Sequence, residues 1–144
     1  MKSIESAGGL VISPDYKVLF IFKKGRWDLP KGRVEKKQSI EECALREVHE
    51  EAGLKSKHLS IRHVLIPTHH VTRHSGVNYD KTTHWFVMDY DGDPDIVKPQ
   101  IEEGIYAVKW FSFWELEEPL SNCPTRIKYL VDFWQKCYAY PPKA

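Results

Sequence analysis

Alternating apolar and polar residues divide this chain into short β-prone runs and amphipathic stretches. Runs rich in β-branched and aromatic residues predict strands at residues 7–12, 18–22, 58–66, 82–90 and 106–111. The first two runs should form a hairpin across the turn at residues 13–17. Residues 67–81, between the third and fourth runs, are polar, and we expect a loop there.

Two stretches have the period of about 3.6 residues that is typical of a helix. In the first, Ser39 and Glu42 have the spacing of a capping box and Gly53 supplies a left-handed stop, so a helix is expected over Ile40–Ala52. In the second, residues 124–137 begin with a proline, which suits the first turn of an amphipathic helix.

The order of these elements indicates an α/β fold. Strands interleaved with one central and one terminal helix predict a mixed β-sheet with helices on both faces. A further short helix should span residues 112–118, and the C-terminal stretch YAYPPKA is expected to be disordered at its end.

Three carboxylates crowd one face of the central helix. On a helical wheel Glu50 and Glu51 lie about 60° and 40° to either side of Glu47, next to the apolar stripe. Like charges at this spacing repel one another, so a cation should compensate them. The residues alone allow two interpretations: a solvated acidic face, or a site for a divalent metal such as Mg²⁺, which prefers carboxylate and phosphate oxygens.

The stretch from Gly32 to Leu54 bears on this choice, because it resembles the signature of the Nudix hydrolase family. That signature is a glycine, five residues, a glutamate, seven residues, then Arg-Glu-aliphatic-x-Glu-Glu-x-Gly-aliphatic. The matching positions are Gly32, Arg46, Glu47, Val48, Glu50, Glu51, Gly53 and Leu54. Gln38 stands where the family has its first glutamate. It can form hydrogen bonds but carries no charge, and since the later glutamates are intact we expect an active enzyme.

The resemblance implies an α/β/α sandwich with a mixed β-sheet, in which the motif helix presents its carboxylates to a cleft. It also implies a hydrolase that cleaves a phosphoanhydride bond with the help of Mg²⁺ or Mn²⁺. The residues it implies as metal ligands are Glu47, Glu50, Glu51 and Glu102. The residues it implies for catalysis are Glu47, Glu50, Arg46 and Glu103, with Arg46 orienting the carboxylates. Which carboxylate accepts the proton stays open, and a Glu-Glu pair such as 102–103 is also common in ordinary polar loops.

Basic and aromatic residues precede the motif in the stretch KKGRWDLPKGR. Phosphate oxygens attract lysine and arginine, so some of these cations should face a phosphate-chain substrate. The substrate-binding residues that we expect are Lys31, Arg33, Trp27, Lys81 and Tyr79.

Residues 27–32 resemble the corresponding segment of the diadenosine-tetraphosphate and diphosphoinositol-polyphosphate hydrolase branches. We therefore expect a dinucleoside polyphosphate as substrate, with Trp27, Tyr79 and Trp85 available for base stacking. A nucleoside triphosphate remains open, as does a diphosphoinositol polyphosphate, which would be favoured if the basic residues converge on one pocket. The alternative from another class is a non-catalytic module that senses a nucleotide, and only Gln38 favours it.

Length and composition fit a single domain over residues 1–144. With 42% hydrophobic and 28% charged residues, a chain of this size can bury roughly 70% of its unfolded surface. The net charge of +1 argues against a polyanion-binding surface over the whole protein. No nucleic-acid-binding motif is present either, so we expect a small phosphorylated partner and no nucleic acid. The oligomeric state stays open.

Cysteines and histidines give no sign of a zinc site. The chain has three cysteines without C-x-x-C spacing, which predicts no disulfide framework. Three histidines between residues 69 and 74 lack the partners of a zinc site, and we place them in a substrate-facing or exposed loop. No apolar run is long enough for a signal peptide or a membrane span, so we expect a cytoplasmic protein.

Overall fold

A computed structural model describes residues 1–138 and contains one mixed sheet with helices on both faces. The strands are β1 (Lys2–Ile12), β2 (Lys17–Lys23), β3 (Arg26–Asp28), β4 (Lys31–Arg33), β5 (Leu59–Val64), β6 (Thr68–His74), β7 (Val77–Tyr90) and β8 (Ile105–Ser112). The helices are α1 (Ile40–Ala52), α2 (Glu117–Leu120) and α3 (Thr125–Cys137), with single 3₁₀ turns at Ser56–His58 and Ile101–Glu103. Among residues 1–138, no helix is long and apolar enough to cross a membrane.

The sheet is built around the parallel pairing of β1 with β7. Its order is β3-β2-β1-β7-β5, while β4 pairs with β1, β6 with β7 and β8 with β2. All pairs other than β1 with β7 are antiparallel. The short β4 is thereby held against Ser6–Gly8 of β1, beside the helix that carries the candidate carboxylates.

Two separate apolar clusters cover the two faces of the sheet. On one face Val48 of α1 packs with Val11 and Met88 of the sheet. On the other face Leu130 and Trp134 of α3 pack into the second cluster, and both side chains are buried. The predicted α/β/α sandwich is therefore confirmed.

The central helix has the bounds that its sequence predicts. The Ser39 hydroxyl accepts the backbone N–H of Glu42 at 3.0 Å, and the Glu42 carboxylate accepts the backbone N–H of Ser39 at 3.0 Å. At the other end Gly53 has φ 75°, a left-handed conformation in which its N–H reaches the carbonyl of His49. Both ends of α1 are thus set by local interactions.

The prediction of a loop over residues 67–81 is wrong, because most of that stretch forms β6 and the start of β7. Ser75 and Gly76 both have positive φ, 51° and 77°, which suits a tight hairpin turn between two antiparallel strands. Side chains on these strands reach solvent, so their polar composition is compatible with a sheet. The Ser-Gly pair was the sequence signal for this hairpin.

Several other bounds differ from those predicted. β1 begins at Lys2 because its first residues pair with Tyr79 and its neighbours in β7. The short helix α2 begins at Glu117, since Ser112 still belongs to β8. The short strands β3 and β4 were not predicted. The expectation of disorder at the end of YAYPPKA concerns residues 139–144, which lie outside the described residues.

Replacement of Ser39 by alanine should destabilise the fold, because the first turn of α1 would lose its capping bond. We expect the free energy of unfolding to fall by about 1 kcal/mol in chemical denaturation. Ser60→Ala, at an exposed position of β5, is the matched control and should leave that free energy unchanged. Equal stability of the two variants would contradict the role of the cap.

Candidate active site

The α1 carboxylates lie against β4 because glycine occupies the centre of that strand. A Cβ atom added to Gly32 would lie 2.1 Å from Cδ of Glu47, so any larger residue would displace this carboxylate. Gly8 of β1 must also be a glycine, because an added Cβ would lie 2.3 Å from the carbonyl oxygen of Pro30. The two glycines let helix, β4 and β1 approach closely.

Glu51 is the most deeply buried of these carboxylates, with 5% of its surface exposed. One carboxylate oxygen, Oε1, accepts the backbone N–H of Lys31 at 3.0 Å. Burial raises the pKa of Glu51 to about 7, although the positive charge of Lys31 opposes the shift. Near neutral pH this side chain can therefore hold or release a proton.

Arg46 bridges the other two carboxylates. Its Nη1 lies 3.0 Å from Oε2 of Glu47 and 3.1 Å from Oε1 of Glu50. Its Nη2 donates to the Arg33 carbonyl at 3.2 Å and to Gln38 Oε1 at 3.4 Å. Burial raises the pKa of Glu47 against the effect of Arg46. The guanidinium thus compensates the acidic face, as the crowding of like charges required.

Carboxylates of this kind fit a hard divalent cation. Two of the three have raised pKa values because of burial, which a second positive charge would relieve. Within residues 1–138, however, no three His, Cys, Asp or Glu side chains are gathered as a finished metal site. The donor chemistry fits the metal, and at present Arg46 provides the cation between Glu47 and Glu50.

Glu102 and Glu103 belong to an exposed 3₁₀ turn that follows the end of α1 in space. The backbone N–H of Gln100 donates to the Glu51 carbonyl at 3.2 Å, and that of Lys98 donates to the Ala52 carbonyl at 2.8 Å. These bonds tie the loop to the C-terminal end of α1. Both carboxylates themselves are exposed to solvent.

A small cavity of ≈130 Å³, which we call the cationic pocket, opens beside Lys31. Its lining comes from the β2–β3 turn, β4, the β6–β7 hairpin and the first turn of α3. The lining residues are Lys23, Lys24, Arg26, Asp28, Lys31, His70, Thr72, Lys81 and Arg126. Because Lys31 also donates its backbone N–H to Glu51, the pocket adjoins the carboxylates of α1.

Among residues 1–138, one acidic side chain lines this pocket. Asp28 forms an ion pair with the ammonium of Lys31 and accepts the backbone N–H of Leu29 at 2.7 Å. Burial and the charges of Lys31 and Lys23 lower the pKa of Lys81. Burial lowers the pKa of His70 to about 4, with Arg126 as the largest charged contributor, so this imidazole is neutral at physiological pH.

A family model described as NUDIX domain matches residues 2–133. This chain belongs to the Nudix family. It is accordingly a Nudix pyrophosphohydrolase, as its signature motif indicated.

Solved Nudix structures have the same fold. An Ap4A hydrolase from C. elegans, in a binary complex, superposes with a TM-score of 0.68 at 18% identity, covering 95% of this chain and 99% of that one. A NUDIX hydrolase from Nitrosomonas europaea gives 0.73 at 19% identity, covering 98% and 76%. The solution structure of the E. coli ORF135 protein gives 0.66 at 23% identity, covering 99% and 96%. At these identities the likeness concerns the fold.

The structure brings together the four Nudix-motif side chains singled out from the sequence, Glu47, Glu50, Glu51 and Arg46. Among the residues expected to bind substrate, Lys31 and Lys81 line the cationic pocket. Tyr79 is half-buried two residues before Lys81 on the same face of β7. Arg33 is exposed on β4 and outside the pocket lining, while its carbonyl accepts Arg46.

The aromatic residues are less available for base stacking than their number suggests. The expectation is wrong for Trp85, which is 1% exposed and donates its ring N–H to Thr68 at 2.9 Å inside the core. Trp27 is half-buried and makes edge contacts with Phe22 and Phe111. Tyr79 and Trp27, which are both half-buried, therefore stay candidates for base stacking.

Sequence reasoning missed Arg126 and did not separate His70 from its neighbouring histidines. Arg126 lies in the first turn of α3, nearly a hundred residues after Lys31, and only the packing of α3 on the sheet brings it to the pocket. No motif marks it. For His70, the alternation along β6 was the available signal, since His70 and Thr72 share the face that lines the pocket.

Replacement of Glu51 by glutamine should stabilise the metal-free protein at alkaline pH. Between pH 4.5, its ordinary pKa, and about 7, its folded pKa, the unfolded chain loses this proton while the folded chain keeps it. The folded state is therefore destabilised as pH rises through this window, by up to about 3 kcal/mol. Glutamine can still accept the Lys31 N–H and carries no charge.

Denaturant titrations in EDTA at pH 4.5 and pH 8 measure this effect. We expect Glu51→Gln to exceed the wild type in stability at pH 8 and to match it near pH 4.5. Glu41→Gln, an exposed position in the first turn of α1, controls for loss of one negative charge. A Glu51→Gln variant that is less stable than wild type at pH 8 would contradict the burial cost.

Proposed function

We propose that this Nudix pyrophosphohydrolase is metal-dependent and hydrolyses a phosphoanhydride bond in a small polyphosphorylated substrate, with Mg²⁺ or Mn²⁺ as cofactor. The main support for the proposal is that Lys31 lies between an acidic and a basic part of the surface. Its backbone contacts the buried carboxylate Glu51 and its side chain lines the cationic pocket. A phosphate chain needs both, since a metal and cations must neutralise its oxygens before a nucleophile can approach.

The residues that would hold the metal are Glu47, Glu50 and Glu51, with Glu102 as a contributor from the loop tied to α1. A bound divalent ion neutralises phosphate charge and lowers the pKa of a water. The pKa of Glu51 is about 7 in the metal-free protein because the side chain is buried, and a bound divalent ion would lower it and keep this carboxylate ionised as a ligand. Glu47, Glu50, Glu102 and Glu103 remain the proton acceptors that we consider, and Arg46 keeps Glu47 and Glu50 oriented.

A dinucleoside polyphosphate is the first substrate that we propose. Residues 27–32 support it, and so does Tyr79, which stands on the face of β7 that carries Lys81. Lys31 and Lys81 would bind phosphate oxygens of the chain.

We also propose the cytoplasm as the compartment, and the free state of all three cysteines is consistent with it.

A diphosphoinositol polyphosphate is the second candidate, and one observation favours it. The basic residues converge on one pocket, which lies beside the carboxylate face. The core position of Trp85 also removes one of the residues that base stacking would use. A substrate that carries many phosphates and no base would match this lining.

The assay that tests the proposal measures phosphate or nucleotide release from dinucleoside polyphosphates, nucleoside triphosphates, nucleotide sugars and diphosphoinositol polyphosphates, with Mg²⁺, Mn²⁺ or EDTA. We expect metal-dependent cleavage of one class. Glu51→Gln should lower turnover about a hundredfold or more while the fold is kept, because a metal-binding carboxylate is lost. Glu41→Gln on the same helix is the control. Unaltered turnover of Glu51→Gln would exclude Glu51 from the metal site.

Restoring the family's glutamate at position 38 should change turnover little. Gln38 already accepts Arg46 Nη2 at 3.4 Å and the Glu35 backbone N–H at 3.1 Å. A glutamate at this half-buried position would strengthen the interaction with Arg46 by at most about 1 kcal/mol. Even if all of it reached the transition state, turnover would change by roughly fivefold. We expect steady-state rates of Gln38→Glu within that range of the wild type. Turnover that appears only in Gln38→Glu would assign the natural chain to a nucleotide-sensing role.

A further inference from the structure

Most cations of the cationic pocket form no ion pair within the part of the chain that the structure describes. Of the six lysine and arginine side chains that line it among residues 1–138, one forms an ion pair there, Lys31 with Asp28. Lys81 of β7 and Arg126 of α3 are half-buried, and neither has an ion pair or a side-chain hydrogen bond among residues 1–138. Asp28, already paired with Lys31, partly offsets the charges of Lys81 and Arg126. The described part of the pocket therefore keeps an excess of positive charge.

Partly buried cations without a counter-ion are costly, because burial removes hydration and like charges repel. The lowered pKa values of Lys81 and Arg126 have this cause, since burial is the largest contribution to both. His70 adds no charge, but its buried Nδ1 has no hydrogen-bond partner within residues 1–138. An anion in the pocket would relieve all three side chains.

The size and position of the pocket are compatible with a phosphate. Its volume of ≈130 Å³ leaves room for an anion of that size. The pocket lies on the side of Lys31 away from Glu51. It is bounded there by α3, whereas the carboxylates belong to α1. A phosphate bound here would be separate from the bond that is cleaved beside α1.

We propose that Lys81 and Arg126, with the β2–β3 turn at the rim, form a distal phosphate site that binds a phosphate group of the substrate beyond the cleaved anhydride. The effect on substrate choice rests on the proposed function, whereas binding of the phosphate does not. Arg126 is the specificity-determining residue, because a guanidinium offers two parallel donors to a phosphate. Substrates that lack a phosphate at this distance lose these bonds and are cleaved less efficiently.

Binding of inorganic tripolyphosphate in EDTA, measured by calorimetry, tests the site without any metal or turnover. Arg126→Gln should weaken the affinity about tenfold, the typical effect of losing a hydrogen bond to a charged group. Arg126→Lys should restore part of it. Lys136→Gln removes the same charge from an exposed position in the last turn of α3 and should stay within about twofold of wild type.

Equal tripolyphosphate affinities of Arg126→Gln, Lys136→Gln and wild type would overturn the proposal, whatever the enzyme hydrolyses. If the protein cleaves none of the substrates but Arg126→Gln still weakens tripolyphosphate binding, the phosphate site is supported and the proposed function fails.

If the enzyme is active, its kinetics test specificity. The kcat/KM of Arg126→Gln should fall about tenfold more for a dinucleoside tetraphosphate than for a nucleotide sugar. An equal fall for both substrates would show that Arg126 does not determine specificity.

Discussion

The hydrogen bond from the Lys31 backbone to the buried Glu51 carboxylate is the contact on which the candidate site depends. It fixes the end of α1 against β4, and it places an acidic and a basic environment on the two sides of one residue. The glycines that flank it in space make this approach feasible, since a Cβ on Gly32 would collide with Glu47. Backbone packing, more than any single charged pair, therefore sets the distance between carboxylates and cations.

Acidic and basic side chains form two separate groups that adjoin one another in the candidate site. The net charge of +1 conceals an acidic helix face beside a pocket that, within the described part of the chain, has six cationic side chains and one carboxylate. Burial shifts titration on both sides, raising the pKa of Glu51 to about 7 and lowering that of His70 to about 4. This arrangement suits a substrate that carries its own phosphates to a metal, because the metal would add positive charge at the carboxylates and the phosphates would add negative charge at the cationic pocket.

Short sequence motifs predicted those helices and strands whose ends are set by neighbouring residues in the chain. The capping box and Gly53 defined α1 to the residue. The order of strands and helices predicted a mixed sheet with helices on both faces, and the resemblance to the Nudix signature implied the α/β/α sandwich. The β6–β7 hairpin was missed because its strands are polar, and only pairing with a neighbour makes them strands. Arg126 was missed for a related reason, since its place in the site comes from α3 packing on the sheet. Trp85 was expected at the ligand, but its burial depends on contacts from distant parts of the chain.

Anomalous diffraction would test this site directly, from crystals grown with Mn²⁺ and a methylene-bridged dinucleoside tetraphosphate, which cannot be cleaved at the bridged position. We expect Mn²⁺ bound by the carboxylates of Glu47, Glu50 and Glu51, with one phosphate of the same ligand in hydrogen-bond contact with Arg126 and Lys81. Mn²⁺ bound away from α1, or a phosphate chain that leaves the cationic pocket without a phosphate group, would contradict this expectation.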